Sequence, residues 1–455
     1  MSIARNKVHR SYRKDEGAKE LTRYRGWLPE SPAVHRQFVR KHHEHGKEAM
    51  RAGSPHNPAV ERFGNAIKAD SVMLDLFHQA ILQSSRVPDS PAIESLDHFL
   101  HQLDMVVSSA PCFHVATDDD GNTIGEVVGV PIFLLFDLMS NTQAGYDLLR
   151  MQSFNAAMKD LLNSWGSYLA KPASASVLNN GPEGWFGPAA MKSLESNRGR
   201  FDYIYVEPDP GAPHKGYRSW DDFFTRALKE GARPLLGADD PTIIHNACES
   251  AVFQLQRNVQ LHDRFWLKAQ PYSLYDIMNR DENDALKFVG GTVYQAFLSP
   301  QDYHRWHSPV SGTIKKALIV PGTYYAALPD NGAPPDDPDL KPGDPHGALM
   351  RSQGWLTLSS ARALIFIEAD NPAIGLMCFV GVGMTEVSTC DITVQPGDHV
   401  SSGEQLGMFH FGGSSHALIF GPQAKLTFAD VVQKDRHLHI NIPLARVQKE
   451  PRSQD

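Results

Sequence analysis

Cysteine is scarce in this chain, and the few cysteines present are not spaced for pairing or for zinc. The 455 residues include four cysteines, at positions 112, 248, 378 and 390, and no two of them form a CxxC pair. This spacing excludes a disulfide framework and a cysteine-based zinc cluster. Free cysteines are typical of proteins in a reducing compartment, so we expect a cytoplasmic location.

Long apolar runs are also missing. The longest candidates are short segments such as Gly375 to Val382, whereas a helix that crosses a bilayer needs about 18 or more consecutive apolar residues. We therefore expect no membrane span.

The chain lacks an overall excess of positive charge. Its formal net charge is −8, which argues against a general nucleic-acid binder. The N-terminus is the exception, because residues 1–51 hold 13 Lys and Arg against 6 Asp and Glu, a balance of 13 − 6 = +7. A transit peptide or a contact with an anionic membrane is one interpretation, but such segments are poor in acids throughout. We favour a solvated basic tail over residues 1–25.

The first third of the chain has the pattern of helices. Three pairs, which begin at Ser31, Asn57 and Ser90, place a capping oxygen before a proline at the first helical position. Apolar residues spaced by three and four follow, from Ile93 to Leu103 and from Leu148 to Trp165. These stripes predict core packing in a helical N-terminal domain.

The second half is rich in short β-type runs. Strands are predicted at 364–367, 376–382, 392–394 and 406–411, separated by Gly or Pro-Gly turns. A run of helices followed by a run of strands predicts an α+β fold with a mainly β C-terminal part.

One segment of the C-terminal half has an unusual composition. Pro329 to Pro345 contains six prolines and five aspartates, which does not favour a packed element. Three interpretations of this segment remain open: it could be a lid, a site for a hard cation or a mobile surface loop. We favour the surface loop.

A short motif, Gly412-Gly413-Ser414-Ser415, follows directly on a predicted strand. Alone it is typical of a flexible turn. It also has a specific chemistry, because a serine hydroxyl can attack the preceding carbonyl and convert the peptide into an ester. Elimination from that ester and hydrolysis then leave a pyruvoyl group. Glycine before the serine removes the Cβ that would crowd this attack, and the serine needs a base.

A candidate base lies in the run from Tyr303 to Pro309, where His304 and His307 are three residues apart. Two histidines at this spacing could supply half of the ligands of a metal site, but no second cluster of ligands completes the set. His410 and His416 merely flank the serine motif, and no HExxH or CxxC occurs. A zinc hydrolase is therefore poorly supported, and we predict no metal ligands.

Several motifs occur in a fixed order along the chain. They are Phe223-Phe224-Thr225-Arg226 with Arg233-Pro234, Ala247-Cys248-Glu249-Ser250, Tyr303 to Pro309, Pro321-Gly322-Thr323-Tyr324, Gly383-Met384-Thr385-Glu386 and Leu406 to Ser415. In this combination the chain resembles the phosphatidylserine decarboxylase family, and within it the fungal L-tryptophan decarboxylases of the psilocybin pathway. The resemblance runs from about Gly26 to about Leu444. It implies a helical N-terminal domain at 26–180 and a catalytic domain of the phosphatidylserine decarboxylase type at 181–455.

The resemblance also implies roles for individual residues. Cleavage between Gly413 and Ser414 would turn Ser414 into the pyruvoyl cofactor, so that no pyridoxal phosphate is needed. His307 would be the base that activates Ser414, and His304 would assist decarboxylation. The family orients its histidine with the aspartate of an Asp-Gly pair, and this chain has Glu249-Ser250 in that place. The two cleavage fragments would remain associated, and a homo-oligomer is possible.

The substrate implied is L-tryptophan or another free aromatic amino acid, with phosphatidylserine as the alternative. Two further interpretations stay open. Val394 to Leu406 resembles a lipoyl or biotinyl hairpin, but no lysine lies between Arg362 and Lys425 to carry the group. An inactive relative that folds and never cleaves is the other.

Overall fold

The computed structural model describes residues 28–29, 31–87, 93–117, 120–262, 272–337, 340–387, 389–411 and 414–448. The predicted basic tail at 1–25 lies outside the described residues. Helices dominate up to residue 169 and strands dominate from residue 243. The predicted α+β class is therefore confirmed.

The helices begin where the sequence places capping side chains. Ser31 and Asn57 accept hydrogen bonds from the backbone NH groups of Ala33 and Ala59, as expected for N-caps. The helices are α1 (Pro32–Ala52), α2 (Pro58–Ala69), α3 (Ser71–Ser84), α4 (Leu96–Val107), α5 (Pro131–Ser140), α6 (Gln143–Leu148), α7 (Gln152–Leu169), α8 (Pro188–Glu195), α9 (Phe201–Ile204), α10 (Trp220–Phe224), α11 (Leu274–Ile277), α12 (Glu282–Leu286), α13 (Ala348–Arg351) and α14 (Gln353–Ser359). Short 3-10 helices lie at Pro172–Val177, Pro213–Gly216 and Thr385–Val387.

Two features of the N-terminal part differ from the sequence prediction. The helix predicted to start at Ser90 starts at Leu96, because the Ser95 hydroxyl caps it by accepting from the NH of His98; Ser90 itself lies outside the described residues. A hairpin of β1 (Phe113–Thr117) and β2 (Thr123–Val127) interrupts the helices, and its short strands left no clear alternation in the sequence.

The strands of the C-terminal half form three antiparallel sheets. They are β3 (Ile243–His245), β4 (Ser250–Arg257), β5 (Thr292–Leu298), β6 (Arg305–His307), β7 (Gly312–Val320), β8 (Arg362–Ala369), β9 (Leu376–Gly383), β10 (Thr389–Ile392), β11 (His399–Val400), β12 (Gln405–His410), β13 (Ser414–Phe420), β14 (Leu426–Phe428), β15 (His437–Leu438) and β16 (Pro443–Val447). The largest sheet has the order β11-β7-β8-β9-β13-β5-β4-β15, beside the smaller sheets β10-β12-β6 and β14-β16-β3.

Three of the four predicted strands match observed ones, namely β8, β9 and β12. The fourth, at 392–394, overlaps β10 only at Ile392. Beyond it the chain turns at Pro396-Gly397, and Gly397 has φ +98°, a conformation that glycine adopts readily.

The large sheet separates two apolar cores. Along β13, Ala417 and Ile419 belong to the core shared with the N-terminal helices, whereas Leu418 and Phe420 belong to the core under the smaller sheets. This alternation follows from the two-residue period of a strand, with both faces buried. Because the first core contains residues from either side of position 180, the domain boundary there stays a prediction.

No helix among the described residues is long and apolar enough to cross a membrane. The four cysteines are all free in the structure. The Pro329 to Pro345 segment, described except for residues 338 and 339, is tied to its surroundings because Asp330 accepts hydrogen bonds from Arg351 and from Asn141.

Candidate active site

Ser414 is the first residue of β13, the strand at the centre of the large sheet. It pairs with Leu298 of β5 on one side and with Gly383 of β9 on the other. The residue is fully buried, and its Oγ has no hydrogen-bond partner in the described part of the chain. Gly412 and Gly413 lie outside the described residues, so the predicted cleavage bond is seen from its serine side only.

The backbone leading into the site has an unusual conformation at Phe411. Its φ is +42°, in the left-handed region that a bulky residue seldom adopts. The ring is held by Trp165 of α7 at 4.6 Å between centroids and by Phe224 of α10 at 5.9 Å. Such a conformation costs roughly 1–3 kcal/mol and persists only where the surroundings fix it. A helix of the N-terminal part therefore helps to fix the segment before the serine.

His304 lies beside this aromatic cluster. Its ring stacks on Phe224 with centroids 4.0 Å apart, and its carbonyl accepts a hydrogen bond of 2.9 Å from the NH of Phe409. Neither ring nitrogen has a partner among the described residues. Burial lowers the pKa of His304 to about 3, so the imidazole is neutral near pH 7.

His307 ends β6, and its hydrogen bonds define its tautomer. Nδ1 lies 2.7 Å from the carbonyl oxygen of Gly403, which can only accept, so Nδ1 carries the hydrogen. Nε2 is then the acceptor for the Tyr303 hydroxyl at 2.9 Å. Burial lowers the pKa of His307 to about 4. The ring is therefore a neutral imidazole whose Nε2 carries no hydrogen.

Strand register places the two histidines at different distances along the neighbouring strand. His307 pairs with Gln405 of β12, whereas His304 is bonded to Phe409, four residues nearer to Ser414 in the chain. Residues in a strand advance about 3.3 Å each. The backbone of His304 thus lies alongside the end of β12 that leads into the cleavage segment.

Glu249 is fully buried directly before β4, but none of its hydrogen bonds in the described part of the chain goes to His307. Its Oε1 accepts hydrogen bonds from Nη2 and Nε of Arg233, at 2.5 and 3.0 Å. Its Oε2 has no partner within the described ranges. The carbonyl of Gly403 therefore orients the histidine, and the carboxylate instead neutralises a buried arginine.

Two buried titratable residues near Ser414 had no role in the sequence prediction. His416 lies two positions along β13, on the same face as Ser414, and neither of its ring nitrogens has a partner among the described residues. Burial lowers its pKa to about 3. β13 was not among the predicted strands, and the available signal was a histidine next to the apolar run from Ala417 to Phe420.

The second is Glu386, three residues beyond the Gly383 partner of Ser414. Its Oε1 accepts hydrogen bonds of 2.6 and 3.0 Å from the backbone NH groups of Ile132 and Phe133, in the first turn of α5. Burial raises its pKa to about 7. Glu386 thereby fastens the end of β9 to an N-terminal helix.

Comparison with known proteins matches both halves of the chain. Residues 57–194 and 220–443 each match a family model described as phosphatidylserine decarboxylase. The chain is 54% identical to Decarboxylase iboD of Amanita muscaria over 348 residues, 76% of this chain and 99% of the relative. It is 34% identical to an L-tryptophan decarboxylase of Psilocybe cubensis over 434 residues, 91% of both chains. Phosphatidylserine decarboxylase proenzyme 3 of Schizosaccharomyces pombe is 27% identical over 271 residues, 60% of this chain and 25% of the relative.

Proposed function

Because this chain belongs to the phosphatidylserine decarboxylase family, we propose that it cleaves itself before Ser414 and then decarboxylates a free aromatic amino acid, with L-tryptophan as the leading candidate. It is a decarboxylase proenzyme. The observation that carries the proposal is the buried, unpartnered Oγ of Ser414 at the start of a central strand.

The surroundings of Ser414 fit a small keto group formed in place. The partner of Ser414 on β9 is Gly383, which has no side chain to fill the space beside the serine. Converting the serine would break no hydrogen bond, because its Oγ makes none with the described residues. A pyruvoyl group there would supply an electron-withdrawing carbonyl that accepts electrons as CO2 leaves the substrate.

The proposed base for self-cleavage is Nε2 of His307. Its partner at Nδ1, the Gly403 carbonyl, already selects the tautomer that can accept a proton. The Tyr303 hydroxyl now occupies Nε2, so this hydroxyl must turn away before Nε2 takes the proton of Ser414. Once free, Nε2 of the neutral ring has a lone pair that can take the proton of Ser414.

His304 is proposed to act in the decarboxylation half. Its stacking on Phe224 fixes the ring plane, and its two unpartnered nitrogens leave both positions available to a substrate. Because the ring is neutral, one nitrogen can donate a proton while the other accepts one.

The small fragment is proposed to stay with the large one after cleavage. β13 is hydrogen-bonded on both sides, to β5 and to β9, and each of these strands belongs to the large fragment. Removing β13 would expose two strand edges and a continuous apolar run.

An aromatic substrate is supported by the rings that pack around His304 and Phe411. Phe224, Phe411 and Trp165 are buried and form a wall of rings beside His304. Flat apolar walls with a few fixed polar groups suit an aromatic side chain. The names of the Psilocybe relatives point the same way. A cytoplasmic location completes the proposal, supported by the four free cysteines.

The test combines mass spectrometry with a substrate comparison. The purified protein should give fragments of 413 and 42 residues, the smaller one blocked at its N-terminus by pyruvate, and Ser414→Ala should stay intact. The cleaved protein is then assayed with L-tryptophan, L-tyrosine, L-phenylalanine and phosphatidylserine vesicles, without pyridoxal phosphate.

We expect an aryl-ethylamine from a free amino acid. CO2 release from the vesicles alone would show that phosphatidylserine is the substrate, and the proposed pyruvoyl cofactor would stand. If the chain is active but remains uncut, the proposal that self-cleavage generates a pyruvoyl cofactor is wrong as well.

A further inference from the structure

A cluster of histidines and aspartates lies in the N-terminal helical part, away from Ser414. Helix α4 presents Asp97, His101 and Asp104 at positions i, i+4 and i+7, which fall on one face. His56, from the segment between α1 and α2, packs against His101 with ring centroids 4.2 Å apart and ring planes 33° apart. One ligand atom each from His56, His101 and Asp104 lies within 4.8 Å of the others.

The two imidazoles face the carboxylates in the same sense. Nδ1 of His56 and Nδ1 of His101 lie 2.6 and 3.4 Å from Oδ2 of Asp104. On the other side of the rings, the two Nε2 atoms lie 3.2 and 3.8 Å from the carboxylate of Asp97. One carboxylate therefore faces both Nδ1 atoms, and a second faces both Nε2 atoms.

His101 is the residue that ordinary hydrogen bonding explains least. Its side chain is only 4% exposed, yet the carboxylate oxygens nearest its nitrogens are 3.4 and 3.8 Å away. These distances exceed the usual range of about 2.7–3.2 Å for N–H···O bonds. Two ligands of one tetrahedral Zn²⁺, each about 2.0–2.1 Å from the ion, lie about 3.4 Å apart.

We propose that His56 Nδ1, His101 Nδ1 and Asp104 Oδ2 bind a divalent transition metal ion of the Zn²⁺ class, with water as the fourth ligand. The His56 to Asp104 separation must widen on binding, which the loop position of His56 allows. Two imidazoles and a carboxylate are a ligand set that Zn²⁺ favours, whereas Mg²⁺ and Ca²⁺ favour oxygen alone. This assignment departs from the sequence prediction of no metal ligands.

The proposed ligands have hydrogen-bond partners that would orient them, as metal ligands in proteins usually do. Asp97 lies 3.2 Å from Nε2 of His56, where accepting Nε2–H would hold that ring in the tautomer that frees Nδ1. Nε2 of His101 also faces Asp97, at 3.8 Å, and would need a small shift to donate to it. The NH of Asn57 donates to Oδ1 of Asp104 at 2.8 Å and so leaves Oδ2 to face the histidines. The ion would join the segment before α2 to the middle of α4.

The experiment uses the untagged full-length protein, stripped with a chelator, and Zn²⁺ alone as the probe. Calorimetric titration should give one equivalent per chain, and the melting temperature should rise with free Zn²⁺. With Co²⁺ in place of Zn²⁺, the protein should show the visible absorption bands of four-coordinate Co²⁺. His56→Gln and Asp104→Asn should abolish this equivalent, and Asp97→Asn should weaken it about 10–100-fold.

The matched control is His399→Gln. His399 also pairs with an aspartate, Asp370, at 2.9 Å, but it is exposed and belongs to no group of three potential metal ligands among the described residues. It should bind like the wild type. No uptake by the wild type, or uptake unchanged in His56→Gln, would overturn the proposal and leave a plain ion-pair cluster. His56 is in a loop, so its variant tests the site even if changes on α4 prevent folding.

Discussion

Glu249 is the residue at which two alternatives can be tested. In the family's usual arrangement an acid orients the catalytic histidine, whereas in this structure Glu249 pairs with Arg233. The Glu249 and Arg233 side chains are 0% and 7% exposed and are joined by two hydrogen bonds to one oxygen. Glu249→Ala would leave the guanidinium buried without a counter-charge. Breaking a buried pair in this way costs about 3–5 kcal/mol. Domains are stable by about 5–15 kcal/mol in total, so the loss would be a large fraction of the stability.

The assay separates stability from cleavage. In a Ser414→Ala background, where no chain is cut, urea unfolding should show Glu249→Ala destabilised by about 3–5 kcal/mol. Glu249→Gln should lose less, because an amide oxygen still accepts from Arg233. His307→Ala loses two hydrogen bonds and should cost about 1–2 kcal/mol. With Ser414 restored, Glu249→Ala chains that fold should cleave more slowly than the wild type, and His307→Ala chains should stay largely uncut.

One result would refute this reasoning. If Glu249→Ala unfolds at the same urea concentration as its parent and still abolishes cleavage, the carboxylate acts on the chemistry of His307, and its pairing with Arg233 is incidental. A double variant with Arg233→Met would check the cause, since removing both charges should restore most of the lost stability.

The remaining predictions concern three histidines. His307→Ala should slow self-cleavage about 10²–10⁴-fold, whereas His304→Ala should cleave and then fail in decarboxylation; gel analysis and CO2 release distinguish them, and reversed phenotypes would exchange the two roles. His304, His307 and His416 have folded-state pKa values of about 3, 4 and 3, below the usual 6.5. The unfolded chain therefore binds more protons, and stability should be full above pH 6.5 and fall by about 1.4 kcal/mol per histidine for each pH unit below it, towards pH 4. Melting curves that do not change between pH 6.5 and 4.5 would contradict this. His416→Leu removes an imidazole whose nitrogens have no hydrogen-bond partner among the described residues. The variant should therefore melt no lower than the wild type but lose at least about tenfold in decarboxylation, as functional sites often trade stability for activity. A lower melting temperature with full activity would make His416 structural.

Much of the fold could be predicted from local pattern. The caps at Ser31 and Asn57 act within two residues of themselves, and the buried runs of β8 and β9 are continuous. The start of α4 was wrong because two serines compete as caps five residues apart, and only packing decides between them. The hairpin of β1 and β2 was missed because its residues are partly exposed on both faces.

By itself the sequence determined which residues are candidates: the serine motif and the two histidines three apart, with Glu249 named by the family resemblance, together with the class of chemistry that these side chains support. Only the tertiary structure decided how they are partnered. Glu249 faces Arg233, sixteen residues away, while His307 takes its orientation from a carbonyl at Gly403, ninety-six residues away. Backbone carbonyls leave no mark on the sequence, since every residue has one. Which charge a buried carboxylate neutralises depends on strand register and helix packing, and those are set by the whole core.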